Sequence, residues 1–175
     1  DGVDLFDPKL FSLSKSEAAV MDPHQRNILD TGYEGLKRAC YAKASLFHCY
    51  GGVYVATAVW NEWRAVEKDQ IELNAFSATA TAGSIASNRV SFCLGLKGPS
   101  MTLDSGDSSV LAAVKVASEG LEGASKMKGP LAFALVAGVR LLLSPLKWPE
   151  LQAAGMLSAS GRCLAFDASA DGSVL

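Results

Sequence analysis

The sequence has few of the residues from which metal centres are built. Its 175 residues include only two histidines, His24 and His48, and its four cysteines show no C-x-x-C spacing. A metal site is therefore poorly supported, and cysteines scattered in this way favour a reducing, intracellular setting. We predict that the protein binds neither a metal ion nor another cofactor.

Long apolar runs and clusters of a single charge are also missing. The longest apolar runs, 131–139 and 141–143, are too short to cross a bilayer, and no charged segment followed by an apolar one opens the chain. We expect a protein without a transmembrane segment that is not secreted and lies in the cytoplasm or in an organelle such as a plastid. The net charge is −2, and without a basic patch we expect no nucleic-acid partner.

What the sequence has is a large apolar fraction, 49%, arranged in alternating helical and strand-like segments. A capping box from Ser14 to Glu17 predicts a helix over 15–21, and Pro23 opens a second helix that ends near 39–41. Further helices are predicted over 82–94 and 107–124, and strands over 51–57, 99–104 and 131–139. This alternation predicts a layered α/β domain.

Two details of these elements are also predicted. The last helix carries an apolar stripe at helical spacing, which we expect to face the core, formed by Val110, Leu111, Val114, Ala117 and Leu121. Among the cysteines, Cys40 and Cys93 fall on apolar faces and are predicted to be buried packing residues.

One short stretch, Asp104-Ser-Gly-Asp-Ser-Ser-Val110, joins a predicted strand to a predicted helix through small residues. A turn of this kind exposes one side chain beside the free N–H groups of the helix start, and many enzymes hold a nucleophile there. In this sequence the exposed position is occupied by Asp107.

Several blocks, in a matching order and spacing, resemble the N-terminal half of a β-ketoacyl synthase, the ketosynthase domain of polyketide and fatty acid synthases. They are residues 6–11, 21–26, 84–92, 94–100, 142–145, 154–158 and 161–167. The resemblance implies a thiolase-like fold of layered helices and a mixed sheet. Residues 1–175 would form its N-terminal half, without the first strand and the C-terminal half. It also implies a homodimer in which strand 100–103 pairs across the two-fold axis.

The same resemblance implies a role for the turn. In the family this turn reads Asp-Thr-Ala-Cys-Ser-Ser-Ser, and its cysteine is the nucleophile that takes an acyl chain from a carrier protein. Here Asp107 stands at the place of that cysteine and is expected to be non-catalytic. The surrounding residues of the turn and substrate pocket would be Asp104, Ser105, Gly106, Ser108 and Ser109, of which Ser105 and Gly106 depart from the family pattern.

A carboxylate is a poor substitute for that cysteine. Condensation of thioesters needs a thiolate, whose acyl adduct is about as energetic as the incoming thioester. An aspartate would form a mixed anhydride, and a helix N-terminus stabilises its anion further. We therefore interpret Asp107 as a helix cap. His24 is predicted to be a capping or solvent-facing residue, and His48 a surface residue.

Two functions remain open at this point. In the first, the protein is a degenerate ketosynthase-like protein that cannot condense acyl thioesters and is retained as a structural or scaffolding subunit. Its partners would be proteins that cover the missing half of the fold, in a homodimer or a larger assembly. In the second, it is a fragment of a polyketide or fatty acid synthase module, a decarboxylating or chain-gating ketosynthase acting on malonyl or acyl carrier protein. Catalytic histidines would then lie downstream of residue 175.

Overall fold

The computed structural model describes residues 5–57, 62–67, 73–123 and 129–174. The chain divides into two units, residues 1–141 and residues 142–175. Among the described residues, no helix has both the length and the apolar character that a bilayer span requires.

The first unit opens with a 3-10 turn, Pro8–Phe11, and then alternates helices with strands. Its helices are α1 (Lys15–Val20), α2 (Pro23–Arg38), α3 (Lys43–Leu46), α4 (Glu62–Glu67), α5 (Ser77–Ala80), α6 (Gly83–Leu94) and α7 (Ser109–Leu121). Its strands are β1 (Gly51–Ala56), β2 (Ser100–Leu103) and β3 (Phe133–Gly138). The predicted helices and strands are confirmed, although α7 begins two residues later than predicted and residue 124 lies outside the described residues.

The start signals read from the sequence produce α1 and α2 as expected. The hydroxyl of Ser14 accepts a hydrogen bond from the N–H of Glu17 at 3.1 Å, which satisfies one of the free donors at the start of α1. The carboxylate of Asp22 accepts from the N–H of His24 at 2.8 Å, and Pro23 occupies the first helical position of α2. The two helices therefore follow each other with a single tight junction.

The three strands form one sheet in the order β2-β1-β3, and every pairing is parallel. The register aligns Ala56 of β1 with Leu103 of β2 and with Gly138 of β3, so all three strands end at the same edge. Strand β1 is buried along its whole length. The expected mixed sheet is thus parallel throughout the described strands.

Helices α2 and α6 cover one face of the sheet, which we call the covered face. Val53 and Val55 of β1 point toward it, in keeping with the two-residue period of a strand. The buried side chains that meet them there include Ile28, Leu29, Leu36, Ala86, Val90 and Leu94. The apolar spacing of α2 and α6 is explained by this contact.

Helix α7 covers the opposite face with small residues. We call this the open face, because other side chains of α7 itself are exposed. Ala113 and Ala117 are buried against Tyr54, Ala56 and Leu131. At Gly120 a Cβ atom would lie only 2.8 Å from the hydroxyl of Tyr54, so the absence of a side chain permits the close approach.

The predicted apolar stripe of α7 is wrong apart from Ala117. Its large members, Val110, Leu111, Val114 and Leu121, are between 44% and 75% exposed. The close contact with β1 is made by the small residues Ala113, Ala117 and Gly120. The larger side chains of the stripe are left largely exposed, although Val110 still reaches Gly138 of β3.

The second unit is held by hydrogen bonds within its own residues. Helix α8 (Lys147–Ala153) is followed by a bridge between Leu157 and Ser173. The carboxylate of Asp171 accepts from the hydroxyl of Ser158 at 2.5 Å and from the N–H of Ser160 at 3.0 Å. These bonds favour the ionised carboxylate and lower the pKa of Asp171.

Candidate active site

The turn between β2 and α7, residues 104–109, lies at the edge of the sheet where the parallel strands end. We call this turn the elbow. Its first residue follows Leu103, the last residue of β2, and its last residue, Ser109, is the first of α7. Ligands of open parallel sheets bind beyond this edge of the strands, so the elbow occupies a position suited to a functional site.

Serine hydroxyls and one carboxylate hold the elbow in shape. The carboxylate of Asp104 accepts from the N–H of Gly106 at 3.1 Å, and the hydroxyl of Ser109 accepts from the N–H of Ser105 at 2.8 Å. The Ser109 hydroxyl also donates to the carbonyl of Gly106 at 2.6 Å, and the Ser108 hydroxyl donates to the carbonyl of Ser105 at 2.9 Å. Gly106 has a left-handed backbone with a φ of 62°, which glycine adopts without steric cost.

The predicted residues of the elbow therefore lie together, but the predicted role of Asp107 as a helix cap is wrong. Helix α7 begins at Ser109, its N-cap residue is Ser108, and no side chain forms a capping bond there. Asp107 lies before the cap, bridged by its backbone to Ser105. Its side chain is fully exposed and meets the guanidinium of Arg140, with 3.4 Å between Asp107 Oδ1 and Arg140 Nη1.

Arg140 reaches the elbow from the end of β3. In the last residue of that strand, Gly138, a Cβ atom would lie 2.7 Å from Cγ2 of Val110, so the end of β3 lies against the first turn of α7. Residues 139 and 141 are both held by their backbones. The N–H of Val139 donates to the carbonyl of Ala56 at 3.2 Å, and the N–H of Leu141 donates to Nε2 of His24 at 3.0 Å. Arg140 stands between these two anchored residues.

The prediction that His24 caps a helix or faces solvent is wrong, because its side chain is only 1% exposed. Its Nδ1 lies 2.7 Å from Oδ1 of Asp22, which is equally buried. The sequence correctly placed both residues at the start of α2. Local spacing could not indicate their burial, because the group that meets His24 Nε2 lies 117 residues further along the chain.

A second buried polar cluster on the covered face was not predicted from the sequence. Arg89 of α6 is 7% exposed, donates to Oε1 of Gln25 at 2.8 Å and forms an ion pair with Glu17. The amide of Gln25 in turn donates to the carbonyls of Thr79 and Ala82. This cluster joins α1, α2, α5 and α6, and it contributes to the fold rather than to the elbow.

The cysteines of the first unit lie far from the elbow. Cys49 precedes β1 and is therefore at the opposite edge of the sheet, since a strand of six residues spans roughly 17–20 Å. Cys93, in the last turn of α6, also lies toward that edge, and burial raises the pKa of its thiol to about 11. Cys40 follows α2 next to Tyr41, whose ring lies 4.8 Å from that of Phe133 at the start of β3.

The cysteine and histidine predictions had mixed outcomes. Cys40 is exposed with a left-handed φ of 66°, so its predicted burial is wrong. It lies two residues after the last residue of α2, beyond the C-cap residue Ala39. Cys93 is half-buried against the covered face, and His48 is exposed as predicted. Cys163 belongs to the second unit and is exposed.

A comparison with known families identifies the family to which the chain belongs. The family described as the N-terminal domain of β-ketoacyl synthase matches residues 1–175. The chain therefore belongs to the β-ketoacyl synthase family, which confirms the resemblance of the sequence blocks.

Individual relatives point to polyketide synthases. The chain is 37% identical over 167 residues to the erythronolide synthase EryA3 of Saccharopolyspora erythraea, covering 95% of this chain and 5% of the relative. It is 38% identical over 172 residues to the reducing polyketide synthase ppsB of Aspergillus oryzae, covering 98% of this chain and 7% of the relative.

A solved structure supports the thiolase-like fold of the ketosynthases. The ketosynthase from module 6 of the bacillaene synthase from Bacillus subtilis 168 matches with a TM-score of 0.84 and 32% identity. The match covers 99% of this chain and 28% of that one. The chain thus corresponds to the N-terminal part of a polyketide synthase ketosynthase domain and spans only a small share of its relatives' length.

Proposed function

We propose that this chain belongs to a ketosynthase-like protein that does not condense acyl thioesters and serves as a structural or scaffolding part of a larger assembly. The observation that carries the proposal is the side chain at the elbow. Asp107 occupies the exposed position between β2 and α7, where the ketosynthase resemblance expects the acyl-accepting cysteine. Its carboxylate lies 3.4 Å from the guanidinium of Arg140, and a carboxylate lacks the nucleophilicity that a thiolate brings to a thioester.

The positions of the cysteines support the same proposal. In a ketosynthase reaction the thiolate attacks the carbonyl of an acyl thioester, and the thiol of the carrier leaves. The thiols of Cys40, Cys49 and Cys93 are placed toward the opposite edge of the sheet. In addition, Cys93 with a pKa of about 11 is almost entirely protonated near neutral pH. None of these three thiols is suited to replace a nucleophile at the elbow.

The decisive experiment incubates the full-length protein with acyl-loaded and malonyl-loaded carrier protein. We expect no acyl adduct by intact-protein mass spectrometry and no condensed product. The matched variant Asp107→Cys tests whether the elbow still presents a side chain to the thioester, and an acyl adduct is expected there. Condensed product from the unaltered protein would contradict the proposal. Release of carbon dioxide without condensation would favour the alternative, a decarboxylating module.

The open face supports the second half of the proposal, a protein partner. Four large apolar side chains of α7 are exposed, and β2 pairs with β1 on one side without a described strand on its other side. A contiguous apolar surface and an unpaired strand edge are normally covered by another protein segment. We propose that the remaining part of the ketosynthase fold or a partner subunit covers them.

Dye binding tests this cover. The 175-residue chain alone should bind a fluorescent dye specific for apolar surfaces, whereas the full-length protein should bind much less. Leu111→Ser should reduce the binding by the isolated chain, and Leu29→Val, a change within the covered face, should leave it unaltered. An isolated chain that is monomeric, cooperatively folded and free of dye would contradict the proposal.

A further inference from the structure

Outside the elbow, Asp22 and His24 form a buried pair of polar side chains. Both side chains are 1% exposed, and Asp22 Oδ1 accepts from the N–H of His24 at 2.8 Å while lying 2.7 Å from His24 Nδ1. The other carboxylate oxygen of Asp22 has no hydrogen-bond partner among the described residues. Within that part of the chain, His24 therefore provides the contacts of the carboxylate.

The two ring nitrogens of His24 have different roles. Nε2 accepts the N–H of Leu141 at 3.0 Å, so this nitrogen carries no proton when the bond is made. The proton of the neutral ring is then on Nδ1, where it is donated to Asp22. A carboxylate on one nitrogen thus determines that the other is an acceptor, as it does for many functional histidines.

The hydrogen bond donated by Leu141 lies beyond the end of strand β3. Strand β3 ends at Gly138, and the N–H of Val139 makes the last bond to β1, through the carbonyl of Ala56. The next anchored N–H is that of Leu141, and its acceptor is the side chain of His24. The residue between them is Arg140, whose guanidinium meets Asp107 at the elbow.

We propose that Asp22 and His24 form a positioning pair that clamps the backbone at Leu141 and thereby holds Arg140 beside Asp107. The pair acts through Arg140 and does not itself reach the elbow. It affects the local charge at the elbow, because loss of the bond at Leu141 removes the anchored residue directly after Arg140. The inference uses the proposed function solely for the meaning of Asp107, since the clamp is a matter of backbone geometry.

Hydrogen exchange measured by mass spectrometry on the full-length protein tests the clamp. His24→Leu removes the acceptor, so the amides of residues 139–142 should exchange about tenfold faster, as expected for the loss of one buried hydrogen bond. His24→Gln keeps an acceptor and a donor and should restore most of the protection. His48→Leu changes the exposed histidine of this chain and is the matched control, with no expected effect.

Strand β1 is the internal reference for this measurement. Faster exchange over 51–56 in His24→Leu would indicate that this variant is destabilised as a whole. The comparison is then made with His24→Gln and Asp22→Asn, which keep polar groups in place. Asp22→Asn weakens the bond to Nδ1 and should raise exchange at 139–142 alone. Unchanged protection at 139–142 in His24→Leu, or equal loss in the Leu and Gln variants, would overturn the proposal.

A second readout follows the position of Arg140 itself. In an Asp107→Cys background, the pH midpoint for alkylation of the introduced thiol should rise by about half a unit when Arg140→Met removes the nearby cation. His24→Leu should raise that midpoint by a similar amount, and the two changes together by no more than either one. An unmoved midpoint in the His24→Leu variant would overturn the proposal. Condensation by the unaltered protein would refute the proposed function but leave both readouts of the clamp intact.

Discussion

The two faces of the sheet are built in different ways. On the covered face, α2 and α6 place large aliphatic side chains such as Leu29 and Val90 against Val53 and Val55, and these residues are fully buried. On the open face, α7 meets β1 through Ala113 and Ala117, and four of its larger side chains remain exposed, with Leu111 75% exposed.

The difference lies in how far the apolar side chains on each side of the sheet are buried. The side chains that pack on the covered face are buried among residues of the first unit. The open face retains apolar side chains for which the described residues provide no cover. Helices cover both faces of the sheet, as is normal for parallel strands, but the outer side of α7 is exposed, and we expect the rest of a ketosynthase fold to pack there.

The largest effect should come from the buried ion pair of the covered face. Arg89→Met removes the partner of Glu17 and of Gln25, and we expect the free energy of unfolding to fall by about 3–5 kcal/mol, because a charge is left without compensation in a largely buried place. Urea denaturation followed by circular dichroism would measure this loss.

The matched control for Arg89 is Arg38→Met. Arg38 pairs with Glu34 at 3.0 Å, but its side chain is 80% exposed, so the loss should stay below about 0.5 kcal/mol. Similar losses in the two variants would mean that burial does not distinguish these ion pairs.

Two leucines test the comparison between the faces directly. Leu29→Ala should lower the free energy of unfolding of the 175-residue chain by about 2–5 kcal/mol, since it leaves a cavity in the covered core. Leu111→Ala, on the open face, should cost less than about 0.5 kcal/mol in the same chain. Chemical denaturation of both variants measures the two losses of stability. A large loss from Leu111→Ala would show that the open face is covered within the chain after all.

The smallest expected effect concerns pH. Burial raises the pKa of the Cys93 thiol from 9.0 to about 11, so folding favours the protonated thiol. The stabilisation is fully present below pH 9 and is lost as the pH rises from 9 to about 11, because the unfolded chain releases the proton first. The loss should be on the order of 1 kcal/mol, since the partial exposure of the group weakens the effect.

Unfolding measured at several pH values on the protein and on Cys93→Ser would reveal this dependence as a difference between the two. The exposed Cys40 provides the control, because Cys40→Ser should leave the pH dependence unchanged. An identical decline in the protein and in Cys93→Ser between pH 9 and 11 would contradict the assignment to Cys93.

Elements with local signals were predicted well. The capping box at Ser14 and the proline at position 23 specify the starts of α1 and α2, because the groups that satisfy the free N–H donors lie within a few residues. The glycine-led, β-branched segment of β1 was equally clear. The stripe of α7 was misassigned because helical spacing identifies an apolar face but does not say which face lies inward, a choice that Gly120 and the alanines decided through their contact with Tyr54.

The elbow was only partly predictable. Its residues and their proximity follow from one contiguous segment, and the structure brings them together as expected. The interaction of Asp107 was missed, because its partner Arg140 is 33 residues away in the chain. The burial of the His24 ring was missed for the same reason, because its partner Leu141 is 117 residues away in the chain.

The sequence by itself determined the positions of the helices and strands, the order of the family blocks and the identity of the side chain at the elbow. These features depend on backbone preferences and on contacts between near neighbours. Only the tertiary structure decided that His24 is buried, that Cys40 is exposed and that Arg140 faces Asp107. Burial and charge pairing depend on which distant segments come into contact. The packing of α2, α6 and α7 around β1 determines those contacts.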